Sequence, residues 1–401
     1  MASIRQLRTE ITEPGRKLLL KLIRARTIRG ASDRGIRNVL VDARRPMNYA
    51  VIAPIHKSLG NDPRVKFYFT ASEQPASARE IYRYAGDDIE IVGPRHAAWM
   101  KFDAYLTADL LWLPLPRGAR RVMMFHGVAG KYSHVYDKPD RSMREWDRLF
   151  FINGRRLSNF ISAGAIDADS PAAKLIGMPR VDCLVDGTLS RDEVLGGLGL
   201  DPSKPSVLYA PTWSPHSSLN LMGKELITRL GRAGYNVIIK LHDGSRMPGA
   251  FFSGGVDWVS ELAPIVKRMN GHLAGTPEIS PLLAAADVLI TDHSSVGFEY
   301  LLLDRPLVRI HVPQLIANTN IASEYVDILK AVSTSITEPD EIELVVEESL
   351  ANPTARSALR RAAARDLFYE PGTATPRAVA ELLNVLELDS TASPCNVRCT
   401  I

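Results

Sequence analysis

The stretch from Ala286 to Tyr300 concentrates the side chains best suited to hold an anion. Val288, Leu289 and Ile290 form a short apolar run of the kind buried on both faces of a parallel sheet. Thr291–Asp292–His293–Ser294–Ser295 is a compact polar turn, and Val296 to Leu303 resumes an apolar helical pattern. Ser294 and Ser295 are favoured helix N-cap residues. A helix starting there aims free backbone N–H groups and the positive end of its dipole at one spot. That spot suits a phosphate or diphosphate, and the two hydroxyls add donors. An ordinary βα turn with a capped helix has the same sequence, so the other motifs of the chain carry weight.

Three further motifs follow strand-like runs and a fourth precedes a helix. His126–Gly127 ends Arg121–Val122–Met123–Met124–Phe125. A histidine there can act as a general base, and Gly127 lets a substrate approach the backbone; a hydrogen-bonded structural histidine is the alternative. Tyr209–Ala210–Pro211–Thr212–Trp213–Ser214 follows a second strand, where Thr212 offers a hydroxyl and Trp213 a face for a base or ribose. Lys240–Leu241–His242 closes a third, and alternation puts Lys240 and His242 on one side. Gly275 to Pro281 precedes a helix, with Ser280 as N-cap, Pro281 at N1 and Glu278 able to accept ribose hydroxyls. Each also has a plain structural reading. The second-half motifs should share one edge of one sheet. Together with Gly127, the residues Thr212, Trp213, Lys240, His242, Glu278, Ser280, Thr291, Asp292, Ser294, Ser295 and Glu299 form the expected nucleotide-diphosphate site, and His126 is the candidate catalytic residue.

The elements that position these residues alternate. Asn38–Asp42, Val65–Phe69, Ile89–Val92, Ala104–Leu106, Arg121–Phe125 and Leu149–Ile152 read as strands in the first half, with helices over Tyr49–Leu59 and Arg155–Ala163. The second half repeats the scheme. Strands are expected at Val207–Ala210, Asn236–Lys240, Val288–Ile290 and Leu307–Ile310. Helices are expected at Lys224–Ala233, Pro281–Ala286, Val296–Leu303, Glu338–Leu350, Ala355–Leu367 and Thr375–Leu386. Strands alternating with helices argue for α/β architecture with parallel sheets. The expected organisation is a basic amphipathic segment at 1–35, a first domain at 36–185, a Gly/Pro-rich linker at 186–205, a second domain at 206–388 and a tail at 389–401.

Composition narrows the function classes. With 401 residues, 45% hydrophobic and 23% charged, the chain reads as a globular protein of two domains. No apolar run reaches the roughly 18 residues of a membrane span, and no signal peptide is evident. Cys183, Cys395 and Cys399 make neither a metal pattern nor a disulfide framework, so a cytosolic compartment is expected. The net charge is +4, yet residues 1–30 alone hold eight basic and two acidic side chains. Leu18, Leu19, Leu20, Leu22 and Ile23 lie among them, a pattern for an anionic membrane surface or for a solvated leader helix. No nucleic-acid partner is expected, because no aromatic or basic stripe continues the patch. No P-loop sequence is present, no G-x-G-x-x-G follows the first strand, and the carboxylates form no evident metal cluster, so neither metal nor cofactor is expected.

The order of the motifs resembles the CDP-glycerol glycerophosphotransferase family, which builds teichoic-acid-like and capsular polymers. The matching segments are Phe125–His126–Gly127, Leu175 to Asp182, Leu208 to Trp213, Lys240–Leu241–His242, Asp287 to Tyr300, and Phe368 to Arg377. They span roughly residues 36–385, and the Thr-Asp-x-Ser-Ser segment is the most specific. The resemblance implies a GT-B-like fold, with two facing Rossmann-like domains of parallel sheet and a cleft between them. It implies an acceptor side with His126 as base in the first domain. CDP-glycerol would bind the second through Thr212, His242, Glu278, Ser280, Ser294 and Ser295. It also implies a peripheral membrane enzyme acting from the cytoplasm on a lipid-linked or polymer acceptor. Three positions depart from the family's usual pattern: Phe125 and Val128 flank His126–Gly127 where Trp and Thr are usual, His293 replaces Tyr, and Asp243 replaces Pro after Lys-x-His. They bear on the donor headgroup and the acceptor.

The expected reaction is a direct phosphoryl transfer in which His126 deprotonates an acceptor hydroxyl and CMP leaves. A nucleotide-sugar glycosyltransferase, a sugar-nucleotide epimerase, or a membrane-associated binding protein without catalysis are the alternative readings on this fold.

Overall fold

A computed structural model describes residues 35–116, 118–128, 141–319 and 321–389. The basic segment at residues 5–29 and the tail with Cys395 and Cys399 lie outside the described residues. Two compact units form. One takes in the described parts of Met1–Met124, Glu145–Leu149 and Val379–Cys395, and the other those of Phe125–Arg144 and Phe150–Ala378.

Seven strands make the first sheet: β1 (Arg37–Asp42), β2 (Val65–Thr70), β3 (Glu90–Ile91), β4 (Ala104–Thr107), β5 (Arg120–Met124), β6 (Arg148–Phe151) and β7 (Ala173–Leu175). Their order is β3-β2-β1-β4-β5-β6-β7. The second sheet has β8 (Ser206–Tyr209), β9 (Asn236–Ile239), β10 (His272–Leu273), β11 (Val288–Thr291), β12 (Leu307–Ile310) and β13 (Thr334–Ile336), in the order β10-β9-β8-β11-β12-β13. β1 runs parallel to both neighbours, with Val39 beside Phe67 and Ala104. β8 does the same, with Leu208 beside Ile238 and Leu289. Both sheets are therefore doubly wound, in the GT-B-like α/β class expected from the sequence. The strand order reverses beside β1 and again beside β8, and ligands of such sheets gather at the carboxyl ends next to the reversal.

The apolar runs explain the strands. Val39, Leu40 and Val41 in β1, and Val288, Leu289 and Ile290 in β11, have no exposed surface. Each such side chain contributes roughly 1.5–3 kcal/mol by leaving water. The helix Ser218–Arg232 covers one face of the second sheet with Leu219, Leu226, Ile227 and Leu230. It begins six residues earlier than its apolar pattern indicates, because its first turn is held by a carboxylate from the loop after β11.

Several elements escape the sequence pattern. The helix Trp258–Arg268 contains Pro264, a residue that ordinarily ends a helix. Pro264 lies on the exposed side, where water can satisfy the carbonyl it leaves without a donor, while Trp258, Leu262 and Val266 form the buried stripe at a spacing of four. β7, β10 and β13 have only two or three residues each, too few for a period to show. The helices Pro313–Thr319 and Ser323–Val332 complete the second unit.

Two of the family-like segments interlock inside the second unit. The Asp182 carboxylate accepts the backbone N–H groups of Gly372 at 2.8 Å, Ala374 at 3.2 Å and Thr375 at 2.6 Å, at the start of the helix Ala374–Val385. In return, Arg377 donates through Nε to the Ile176 carbonyl at 2.8 Å. Gly177 lies between them at φ +90°, and a Cβ there would stand 2.5 Å from the Tyr369 carbonyl oxygen. Only glycine fits.

Candidate functional site

β8 and β11 end side by side, and one buried carboxylate joins the loops that follow them. Asp292 has no exposed surface. Its Oδ1 accepts the Thr212 N–H at 2.8 Å, and its Oδ2 accepts the Ser218 N–H at 3.1 Å and the Ser218 hydroxyl at 2.9 Å. The Tyr209 hydroxyl lies 2.9 Å from Ser218 Oγ and can donate to it, completing a relay. Burial pushes the Tyr209 phenol well above its ordinary pKa, so that proton stays on. Thr291 adds a bond from its hydroxyl to the Ala210 carbonyl at 2.7 Å. Thr291 and Asp292 therefore shape the loop after β8, and Asp292 anchors the first turn of the helix Ser218–Arg232, where a negative charge is favoured. Thr212 is itself buried, with its N–H on Asp292.

Ser294 is buried and Ser295 half-buried. Ser295 stands at the N-cap of the helix Val296–Tyr300, but with helical torsions of φ −60° and ψ −23° and no capping bond from its side chain. The expected capping role does not materialise, since a cap needs an extended residue. The α-helix is five residues long before it tightens into the 3-10 turn Leu301–Leu303. Its dipole is correspondingly small. An anion placed at this turn would have to rely on hydroxyls and nearby cations.

The loop after β9 carries one such cation, Lys240, beside the imidazole of His242. β9 closes at Ile239, so the expected strand alternation does not reach Lys240 and His242. His242 is half-buried, and its Nδ1 accepts the Gly244 N–H at 2.9 Å. With Nδ1 accepting, a neutral ring carries its proton on Nε2. Trp213 packs beside it, with ring centroids 6.2 Å apart, and joins Phe251 and Phe252 in an aromatic group. A Cβ at Gly244 would stand 2.8 Å from Trp213 Cγ, so this close approach requires glycine. Lys240 is only 7% exposed and donates to the Leu241 carbonyl at 2.8 Å. Burial lowers its pKa to about 8; Asp243 and Glu278 support the charge, and Arg246 and Arg180 oppose it.

Three expected ligand residues hold the scaffold instead. Glu278 Oε1 accepts the Ser280 N–H at 2.9 Å and thereby closes the start of the helix Ser280–Ala285. Ser280 is the first residue of that helix and not its cap; fully buried, it donates from its hydroxyl to the Arg180 carbonyl at 3.2 Å. Glu299 is fully buried and forms an ion pair with Arg180, which is 6% exposed. Burial pushes the Glu299 carboxyl up while Arg180 draws it back down. Burial likewise works against the Arg180 charge, and Glu299 and Glu278 more than offset it. Arg180 was not among the expected site residues. Its signal was a lone arginine in the apolar run Ile176 to Leu184, matched by a lone glutamate in the apolar run Val296 to Leu303.

The structure thus brings Thr212, Trp213, Lys240, His242, Glu278 and Thr291 to Ser295 to one edge of the second sheet, at the ends of four consecutive strands in sheet order and in the loops after them. His126 and Gly127 belong to the same compact unit, in the loop after β5. His126 is exposed and Gly127 half-buried.

Two outcomes follow. Asp292→Ala removes the acceptor of three buried donors, one in the loop after β8 and two on the first residue of the helix Ser218–Arg232, and should lower the unfolding free energy by about 3 kcal/mol. Denaturant unfolding reads this directly, and an alanine variant as stable as the parent would contradict the pillar role. Lys240 has a folded-state pKa below its unfolded value. Its burial cost is therefore complete below about pH 8 and is relieved as pH rises towards the unfolded value near 10.5. Lys240→Met should stabilise the protein at pH 7 by roughly 2–3 kcal/mol and lose most of that advantage by about pH 10. An unchanged difference at the two pH values would refute the burial account.

Residues 122–383 match the family described as CDP-Glycerol:Poly(glycerophosphate) glycerophosphotransferase. A teichoic acid poly(glycerol phosphate) polymerase of Bacillus spizizenii is 23% identical over 297 residues, covering 68% of this chain and 72% of that protein. A polymerase of the same description from Staphylococcus epidermidis is 30% identical over 179 residues, covering 42% of this chain but only 23% of that longer protein. Among solved structures, a form of the wall teichoic acid polymerase TagF superposes with a TM-score of 0.67 at 16% identity, over 96% of this chain and 99% of that one. A UDP-N-acetylglucosamine 2-epimerase superposes with a TM-score of 0.54 at 15% identity, over 87% and 95%. Those two likenesses concern the fold, whereas the family match spans more than half of the chain: it belongs to the CDP-glycerol:poly(glycerophosphate) glycerophosphotransferase family.

Proposed function

We propose that the protein transfers a glycerophosphate group from CDP-glycerol to a hydroxyl of a membrane- or lipid-linked acceptor in cell-envelope polymer synthesis. The observation that carries this reading is the convergence of Ser294, Ser295, His242 and buried Lys240 on the carboxyl edge of the second sheet, within the span of the family match. A diphosphate needs several donors and net positive charge, and these side chains supply both. His126 removes the proton of the acceptor hydroxyl. The freed oxygen attacks the phosphorus that bears glycerol, a new P–O bond forms, the bond to the bridging oxygen breaks, and CMP departs with that oxygen. The protein's contribution is placement and charge stabilisation. The basic residues between Arg5 and Arg29 would hold the chain on an anionic membrane.

The epimerase of the same fold keeps the nucleotide-sugar reading in play, since fold alone does not set the reaction. Calorimetric titration with CDP-glycerol, CDP-ribitol, UDP-sugars and GDP-sugars separates the readings. Tight binding of a UDP-sugar with no response to CDP-glycerol would overturn the proposal. His126→Ala should lower turnover by roughly 100-fold or more with the fold intact. The pair Ser294→Ala and Ser295→Ala should weaken donor binding, and unchanged affinity would remove the two hydroxyls from the site. Deleting residues 1–30 should abolish co-sedimentation with vesicles containing anionic lipid. Equal sedimentation with and without them would show that this segment is not the anchor.

A further inference from the structure

His126 is exposed between two anchored neighbours. Before it, the Phe125 N–H donates to the Phe150 carbonyl at 3.4 Å, and the Phe125 ring packs on Phe151 and Phe160 with centroids 4.8 and 5.3 Å apart. After it, Gly127 is half-buried and Val128 has no exposed surface. Arg156 reaches both sides of the histidine. Its guanidinium carbon lies 4.1 Å from the centroid of the Phe125 ring, within cation–π range, and its Nη1 donates to the Gly127 carbonyl at 2.7 Å.

The base of Arg156 is fixed too. It is the third residue of the helix Gly154–Ser162, and its N–H donates to the Asn153 side chain at 2.8 Å. Asn153 is buried, and its amide donates to the Leu367 carbonyl at 2.8 Å. Two arginines in the first turn of a helix oppose its dipole, so the sequence breaks a local rule here. Arg155 answers with ion pairs to Asp366 at 2.5 Å and Glu324 at 3.1 Å. Arg156 turns instead to the Phe125–Gly127 loop.

We propose that Arg156 is a positioning residue for His126. It clips the chain through the ring before the histidine and the carbonyl after it, and so presents the imidazole to the acceptor hydroxyl in one orientation. This rests on the reading of His126 as the base. A small misplacement of a catalytic group can cost on the order of 100-fold in rate.

A double-mutant cycle tests it, with turnover and donor KM measured for Arg156→Ala, His126→Ala and the combined variant. Arg156→Ala should lower kcat roughly 10- to 100-fold while donor KM stays within about twofold. In the His126→Ala background the same change should cost less than about twofold, because the group it positions is gone. Arg156→Lys, which keeps the cation and one donor, should recover part of the loss. It also carries the comparison if the alanine variant does not fold. Equal losses in both backgrounds, or a loss confined to donor KM, would overturn the positioning role while leaving His126 as base. A His126→Ala variant with full turnover would overturn both, and so separates failure of the base from failure of the clip.

Discussion

The buried carboxylate of Asp292 is the constraint on which the ligand edge of the second sheet depends. Two parallel strands that end together leave loops free to diverge, because no hydrogen-bond ladder continues past their ends. From the loop after β11, Asp292 takes one donor from the loop after β8 and two from the first residue of the following helix, 74–80 residues earlier in sequence. A carboxylate buried this deeply is costly unless hydrogen bonds replace its water, and the Thr212 and Ser218 donors do so. The helix Ser218–Arg232, the aromatic turn at Trp213 and the Ser294–Ser295 turn are thereby set against each other before any ligand arrives. Such preorganisation is what a reaction governed by placement and charge needs.

Around that pillar the charges are layered. Arg180 and Glu299 neutralise each other in the interior, joining the 3-10 segment Pro179–Leu184 to the helix that begins beside Ser295. Lys240 stays buried with its charge only partly supported, a state that costs stability and is characteristic of functional sites. The exposed side of the same edge carries His242 and Trp213, held against one another by a glycine that leaves room for the indole. Pairing in the depth thus fixes the frame, while nearer the loops the Lys240 charge is only partly compensated.

Much of the fold was legible in the chain because burial on both faces writes continuous apolar runs. β1, β2, β8 and β11 follow largely from their apolar residues, and their alternation with amphipathic helices gives parallel sheets. The short strands β7, β10 and β13 carry no period, and the helix Trp258–Arg268 hides behind Pro264, whose exposed position a sequence does not reveal. The ligand edge was legible as a set of polar motifs after strands. What each residue does there was less so. Spacing cannot tell a serine that faces solvent from Ser280, whose hydroxyl is spent on a carbonyl one hundred residues away. Nor does it show that Glu299 is covered, that Ser295 sits at a cap position without capping, or that Asp292 faces its own neighbours. These are tertiary facts, visible only once Arg180 and Ser218 are placed.

The central claim is that the Asp292-braced edge of the second sheet holds the donor diphosphate. A structure of the protein with a non-hydrolysable CDP-glycerol analogue tests it most directly. The account predicts diphosphate oxygens within roughly 2.7–3.2 Å of the Ser294 or Ser295 hydroxyl and of His242 Nε2. It also predicts that Asp292 remains bonded to Thr212 and Ser218. A diphosphate bound away from the loops after β9 and β11 would contradict it.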